Sequence, residues 1–345
     1  MVLSALSVAG VASLPDLLRL VALPAFAWAA VRDVKTRRVP GTVWIPLGAL
    51  ALCLFVWDAL AARSAGGLAW TDGFLLPAAL SLGLVVPIAY LFWWFGGFGG
   101  ADAKALLVLA LLFPVAPTYA VGSITFPVAG DAGIGAFALT ILTNAVLVGV
   151  AIPVALAVRN AAAGRIAPVM FVGWPVRWDA VVRTHGRLLQ TPDGLTTGGL
   201  DLDALRMYLR WRGLSLQEVR ADPGRFRDPA TLPDDPNPPT DGAITASGVL
   251  PDGGELQERD DGADGTAEPS AADATYDDPW GAEAFLDDIE GNAYGTTPDL
   301  LRDGLDVLAR EETVWISPGT PFLVPVFVGL LVALVYGDVL VGLLF

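Results

Sequence analysis

The sequence predicts an all-α polytopic membrane protein with about six transmembrane helices and an acidic, partly disordered cytoplasmic segment between the fifth and sixth. Three observations carry that prediction. Hydrophobic residues make up 54% of the 345-residue chain and charged ones only 17%, a balance unlike that of an ordinary water-soluble protein. Six stretches are apolar over roughly the 20 residues that a bilayer crossing needs. Charge is also segregated: residues 160–320 hold 29 of the 36 Asp and Glu and 13 of the 21 Lys and Arg, while the rest of the chain carries 7 acids and 8 bases.

The apolar stretches lie at about 14–31, 44–62, 74–95, 103–122, 134–158 and 321–344. The first opens on Ser13-Leu14-Pro15-Asp16, a capping-box pattern with proline in the first turn. No basic region precedes it, so it reads as a retained helix and not as a cleaved signal peptide. The fourth has only about a dozen residues between Asp102 and Pro114, some 18 Å of helix. To cross, it must continue through Pro114 and Pro117 with a kink. Residues 1–158 thus form a five-helix core, 159–320 the acidic segment and 321–345 the sixth helix.

Loop charges set the direction. Arg32, Lys35, Arg37 and Arg38 crowd residues 32–41, which marks this loop as cytoplasmic. Alternation puts residues 96–102 and Lys104 on the same side, with Arg159 and Arg165 at the start of the acidic segment. The loops at 63–73 and 123–133 carry only Arg63, Asp72 and Asp131, as outside loops should.

Within the acidic segment, residues 171–226 include Phe171, Trp174, Trp178, Leu200, Leu205, Tyr208 and Trp211. These suffice for a small structured unit with a helix near 201–212. Residues 228–279, rich in Pro, Gly, Asp and Ala, have too few large apolar side chains to offset the entropy of ordering and are expected to be disordered. Residues 281–312 regain a helical pattern. Abundant Asp with little Lys also keeps a protein hydrated at high salt, so the composition suggests a halophilic host.

Cys53 and His185 are the only cysteine and histidine. One cysteine builds neither a disulfide nor a thiolate zinc site, and Cys53 is expected to be a small buried hydrophobe. His185 lies in the polar segment, far from any nucleophile motif. No metal and no cofactor are expected.

Two carboxylates stand out. Asp33 ends the first span and Asp102 begins the fourth, at one depth on the inner face. Asp16, Asp58, Asp72, Asp131 and Asp338 all fall near the outer face. Each inner acid has a plain structural explanation: Asp102 suits a helix cap, and Asp33 a basic juxtamembrane loop. Brought together, however, two carboxylates in a partly dry site do not both ionise easily, and one then activates water while the other holds a proton. Four of the five residues 96–100 are glycine, and glycine lets an extended peptide approach the backbone closely.

At these residues the chain resembles a known family. Asp33-Val34-Lys35-Thr36-Arg37-Arg38-Val39-Pro40 is similar to the first catalytic motif of type IV prepilin peptidases, an Asp followed by an aliphatic-Pro pair. Gly99-Gly100-Ala101-Asp102-Ala103-Lys104 resembles their second motif, Gly-x-Gly-Asp with a lysine two residues on. The resemblance is to the archaeal branch, including preflagellin peptidases, and covers residues 14–158 and the last helix. It implies an aspartic endopeptidase that removes the short basic leader from prepilin or prearchaellin precursors at the cytoplasmic face of the cell membrane. Asp33 and Asp102 would be catalytic, while Gly99, Gly100, Ala101 and Lys104 would line the substrate site. Lipid and precursor would be its partners, with no nucleic acid among them.

Some features depart from the pattern. Ala101 stands where the family has its second glycine, and Gly41 where asparagine often follows the proline. The acidic segment lies outside the family's usual core. The cysteine-rich zinc region of many bacterial members, linked to amino-methylation of the mature pilin, is absent. Two other functions fit a chain of this type: a transporter, and a membrane-anchored binding protein working through its acidic segment. None of the six spans has an acid near its midpoint, as a transporter's working acids usually are, and six spans exceed what an anchor needs. Presenilin-like proteases share Gly-x-Gly-Asp, but their first aspartate follows tyrosine within a helix, whereas Val31-Arg32 precede Asp33.

Overall fold

A computed structural model of the chain describes residues 7–8, 10–95, 98–129, 135–244, 276–289, 293–319 and 321–344. Two compact units emerge: Met1–Ile152 with Pro321–Phe345, and Pro153–Thr320.

In the first unit, Ser13 caps helix α1 (Leu14–Arg19), its Oγ accepting from the Asp16 amide at 3.2 Å. The chain bends at Leu20-Val21 and continues as α2 (Ala22–Thr36). Helix α3 covers Trp44–Ala65. Residues Gly67–Trp94 form one long helix, α4, which widens into π-turns at Thr71–Leu75 and Ser81–Val85. Each π-turn precedes a proline, Pro77 or Pro87. A proline cannot donate to the ladder and crowds the carbonyl four residues back, and a wider turn relieves both problems.

Helix α5 (Gly100–Leu112) is followed by α6 (Phe137–Ala162). The last apolar stretch forms α9 (Leu323–Val335) and α10 (Val339–Leu344), counting two helices of the second unit as α7 and α8 below. Among the described residues, four helical stretches are long and apolar enough to cross a membrane: Leu14–Thr36, Gly41–Ala65, Gly67–Trp94 and Phe137–Ala162. Their exposed apolar side chains, such as Val31, Ile45, Leu60, Trp94 and Val158, suit a lipid surround. This is a membrane protein.

Three features of the first unit differ from what the sequence predicts. The fourth stretch does not run through its prolines. Helix α5 stops at Leu112, and the chain turns into an antiparallel hairpin of Tyr119–Val121 with Ile124–Phe126. The buried Arg19 explains the stop, because its Nε donates to the Leu112 carbonyl at 2.8 Å and Pro114 has no amide to offer. Arg19 also pairs with Asp16 and Asp58, and the Tyr119 hydroxyl donates to the Asp16 carbonyl. A second correction concerns the sixth stretch, which is broken at Gly337-Asp338. Buried Asn144 donates to the Gly337 carbonyl and accepts from the Val339 amide, satisfying the freed backbone. Third, Cys53 is exposed on α3 beside exposed Leu52 and Val56, because that face turns away from the bundle.

Core side chains of the first unit come from several helices: Phe26 and Ala29 of α2, Trp44 and Leu47 of α3, Val85 and Ala89 of α4, Leu106 and Leu109 of α5, Ile141 of α6 and Leu330 of α9. Helix α5 packs most extensively on α3, and α9 on α2. At Gly329, α9 comes so close to α6 that a β-carbon there would stand 2.6 Å from the Ala145 amide nitrogen and the Ile141 carbonyl oxygen. Small residues permit such approach in membrane bundles.

The second unit is not purely helical. Strand Thr313–Ser317 lies between Trp174–Arg177 and Arg187–Leu188 in a three-stranded antiparallel sheet, with Val176 opposite Val314. Helices α7 (Leu202–Arg212) and α8 (Pro298–Arg310) share its core, where Tyr208, Trp280, Phe285, Leu305 and Ile316 are buried. The Asp201 side chain caps α7, and Gly213, with φ of 69°, ends it. His185 sits in this unit, its Nδ1 3.8 Å from Asp203 Oδ1.

The expected disorder from residue 228 onward meets an ordered segment. Residues 228–244 carry the short 3-10 turn Pro229–Thr231 and are held by side chains of α7. Arg212 donates to Thr231, and Arg206 donates to the Gly242 carbonyl at 2.6 Å. The Asn237 amide donates to the Trp211 carbonyl. Backbone fixed by arginine donors needs few apolar side chains of its own. Residues 245–275 of that expectation, and Asp131, lie outside the described residues.

Candidate active site

The site gathers at the ends of four segments of the first unit. Asp33 occupies the last turn of α2 and is buried. Its Oδ2 accepts from the Leu323 amide at 3.2 Å, across 290 residues of sequence. That amide is one of the unpaired donors at the start of α9, so the carboxylate also faces the positive end of that helix. After Thr36 the helix closes on Arg37, in the left-handed conformation with φ of 55° and its amide bonded to the Asp33 carbonyl. The Thr36 hydroxyl bonds the Arg38 carbonyl at 3.1 Å and ties down the turn that follows.

Asp102 stands in the first turn of α5. Gly99 is the N-cap, and its amide donates to Asp102 Oδ2 at 3.2 Å. The capping explanation for Asp102 is therefore part of the truth: one oxygen serves the helix start. Its other electrostatic neighbour is Asp33, close enough that its charge acts on Asp102, while the charge of Arg37 acts on Asp33. The two carboxylates singled out by depth and motif thus lie within electrostatic reach of each other.

Gly99 and Gly100 are exposed, and Ala101 is half-buried beside them. Lys104 is exposed and lies over the turn after Pro40: a β-carbon on Gly41 would meet its Nζ at 2.6 Å. The residue after the first motif's proline and the lysine of the second motif are therefore direct neighbours. The tail of Lys104 occupies the space that a larger side chain at 41 would take.

Residues missed by sequence reasoning complete the site. Phe98 precedes the glycines. Its ring lies 4.9 Å from Phe92 of α4 and 4.5 Å from Phe322, the residue before α9. Phe322 and Leu323 sit beyond the acidic segment. Only the Pro321-Phe322 pair opening an apolar run hinted at a helix start there. Residues 96 and 97 of the glycine stretch lie outside the described residues.

Comparison with known proteins bears on the same residues. Residues 20–154 match the type IV leader peptidase family. Residues 298–339 match the archaeal peptidase A24 C-terminus, type II. The chain belongs to the type IV leader peptidase family, in its archaeal branch. Neither the curated proteins nor the solved structures yield a match. As a leader peptidase it is a protease, and its family membership implies prepilin-like precursors as substrates. The second match revises the expectation that the family likeness spares the acidic segment. It takes in α8 and the strand Thr313–Ser317 of the second unit, and in the first unit α9, whose Leu323 amide donates to Asp33.

Proposed function

We propose that this leader peptidase is an aspartic endopeptidase that removes short basic leaders from prepilin-like or prearchaellin precursors at the cytoplasmic membrane face. Asp33 and Asp102 form the catalytic pair. The observation that carries this reading is their arrangement: each carboxylate accepts a backbone amide at a helix start, from Leu323 and Gly99, and the two lie within electrostatic reach.

In the proposed reaction, the ionised carboxylate takes a proton from water as its oxygen attacks the scissile carbonyl. The protonated carboxyl gives its proton to the carbonyl oxygen. Collapse of the tetrahedral intermediate breaks the C–N bond as the leaving nitrogen takes up the proton first drawn from water, and a hydroxyl of the intermediate returns its proton to the other carboxylate, restoring the dyad. Because coupled carboxylates titrate as a pair, the two roles belong to the dyad. Gly99, Gly100 and Ala101 offer a backbone edge along which an extended peptide fits. The Arg32–Arg38 loop supports the cytoplasmic assignment through the positive-inside rule.

Co-expression with a candidate prepilin, scored by gel mobility, tests the proposal. Asp33→Asn and Asp102→Asn should each abolish leader removal while the protein still inserts, since an amide keeps the shape but does not shuttle the proton. Near wild-type processing by both variants removes the aspartic mechanism.

A further inference from the structure

We propose that Phe98 and Phe322 are positioning residues that couple the two halves of the active site. The inference rests on the aspartate-pair reading and extends it. Asp33 and Asp102 are carried by helices about 70 residues apart in sequence, and catalysis by a shared water demands a fixed distance between them. The described contacts show one route that fixes it. Phe322 caps α9, and the very next amide, that of Leu323, donates to Asp33 Oδ2. Phe98 immediately precedes Gly99, whose amide donates to Asp102 Oδ2. The two rings meet at 4.5 Å with a 41° tilt. Each carboxylate is therefore held by the backbone amide that follows one member of an aromatic pair.

The Phe98 side of this contact is itself anchored. Its amide donates to the Phe92 carbonyl at 3.1 Å, and its ring stacks on Phe92 at 24°. Phe98 is thus pinned between the end of α4 and the start of α9, immediately before the Gly99-Gly100 pair. Because Phe322 and Leu323 are adjacent, a shift of the Phe322 backbone carries the Leu323 amide with it. Shape and ring contact, not charge, carry the coupling, so its expected effect is on the alignment of the carboxylates more than on peptide binding.

The test uses the full-length peptidase in detergent with a purified prepilin as substrate, measuring kcat and KM separately. Phe98→Ala and Phe322→Ala should each lower kcat about tenfold, because sub-ångström misalignment of reacting groups has costs of this order, with KM within about twofold. The double variant should be no worse than Phe98→Ala alone, since that variant already lacks the contact with Phe322. Phe322→Tyr, which keeps the ring, should retain wild-type kcat. Phe98→Leu and Phe322→Leu, which keep apolar bulk, secure the experiment should an alanine variant fold poorly, and each should still lose kcat several-fold. Multiplicative loss in the double variant, a change confined to KM, or wild-type kcat in the leucine variants would overturn the inference. Asp33→Asn and Asp102→Asn run alongside: if they are active, the aspartate-pair reading itself falls, whereas inactive Asn variants with unaffected Phe variants reject only the aromatic coupling.

Discussion

Gly99→Ala and Gly100→Ala separate two roles that a glycine pair can play at this site. A β-carbon at position 99 would lie 3.2 Å from Asp102 Oδ2, whereas ordinary contact begins at 3.4 Å. The carboxylate must retreat by a few tenths of an ångström, stretching a hydrogen bond from Gly99 that is already 3.2 Å long. If a misplacement of about 1 Å costs on the order of a hundredfold, this retreat should lower kcat by about three- to tenfold. A β-carbon at position 100 would meet only Trp93 Nε1, at 3.8 Å, an ordinary contact. There alanine should stabilise the first turn of α5 by up to about 1 kcal/mol and leave kcat within about twofold. KM should rise, because the methyl projects from the exposed edge where a substrate strand would lie. Steady-state cleavage of a purified prepilin, with thermal melting in the same detergent, gives both quantities. Wild-type kcat in Gly99→Ala, or equal kcat losses in the two variants, would refute the steric reasoning.

Other perturbations test the frame around the site. Arg19→Met strands the Asp16 and Asp58 carboxylates and the Leu112 carbonyl together, so it should cost about 3–5 kcal/mol, read as a large drop in melting temperature or in accumulation. Gly329→Val forces α9 away from the α6 backbone and should cost about 1–3 kcal/mol in the same assay, with loss of activity because α9 carries the Leu323 amide. In the second unit, burial works against ionisation of Asp278, but amides of Glu283 and Ala284 and the Arg302 guanidinium outweigh it and hold its carboxyl below the usual range. A carboxyl depressed on folding stabilises fully above its unfolded value near 4, and that stabilisation is lost as pH falls through the folded value. The melting difference between wild type and Asp278→Asn should therefore be full at about pH 6 and close toward about pH 3.

Much of this protein was legible in the sequence because the relevant physics is local or compositional. A run of apolar residues long enough to cross a bilayer announces itself, and four such helices form among the described residues. Ser13 and Pro15 mark a helix start through groups one turn apart, and Gly213 ends α7 where the periodicity ends. The family was readable because both motifs are short and contiguous, and the two family matches cover them together with the region around the last helix. The candidate pair Asp33 and Asp102 was likewise nominated by motif and depth alone.

What the tertiary structure decided depends on partners distant in the chain. Helix α5 ends at Leu112 because a guanidinium 93 residues earlier takes its terminal carbonyl. The last helix breaks at Gly337 because Asn144 of α6 satisfies the opened backbone. Strand Thr313–Ser317 has five residues and neighbours over a hundred positions away, and pairing of that kind leaves little trace in local periodicity. Residues 228–244 are ordered by arginines of α7, so their own composition misleads. At the site, sequence named the two carboxylates but not the amide of Leu323 or the rings of Phe98 and Phe322. A backbone donor carries no residue signature, and an aromatic in a membrane helix looks the same whether it faces lipid or a neighbouring ring.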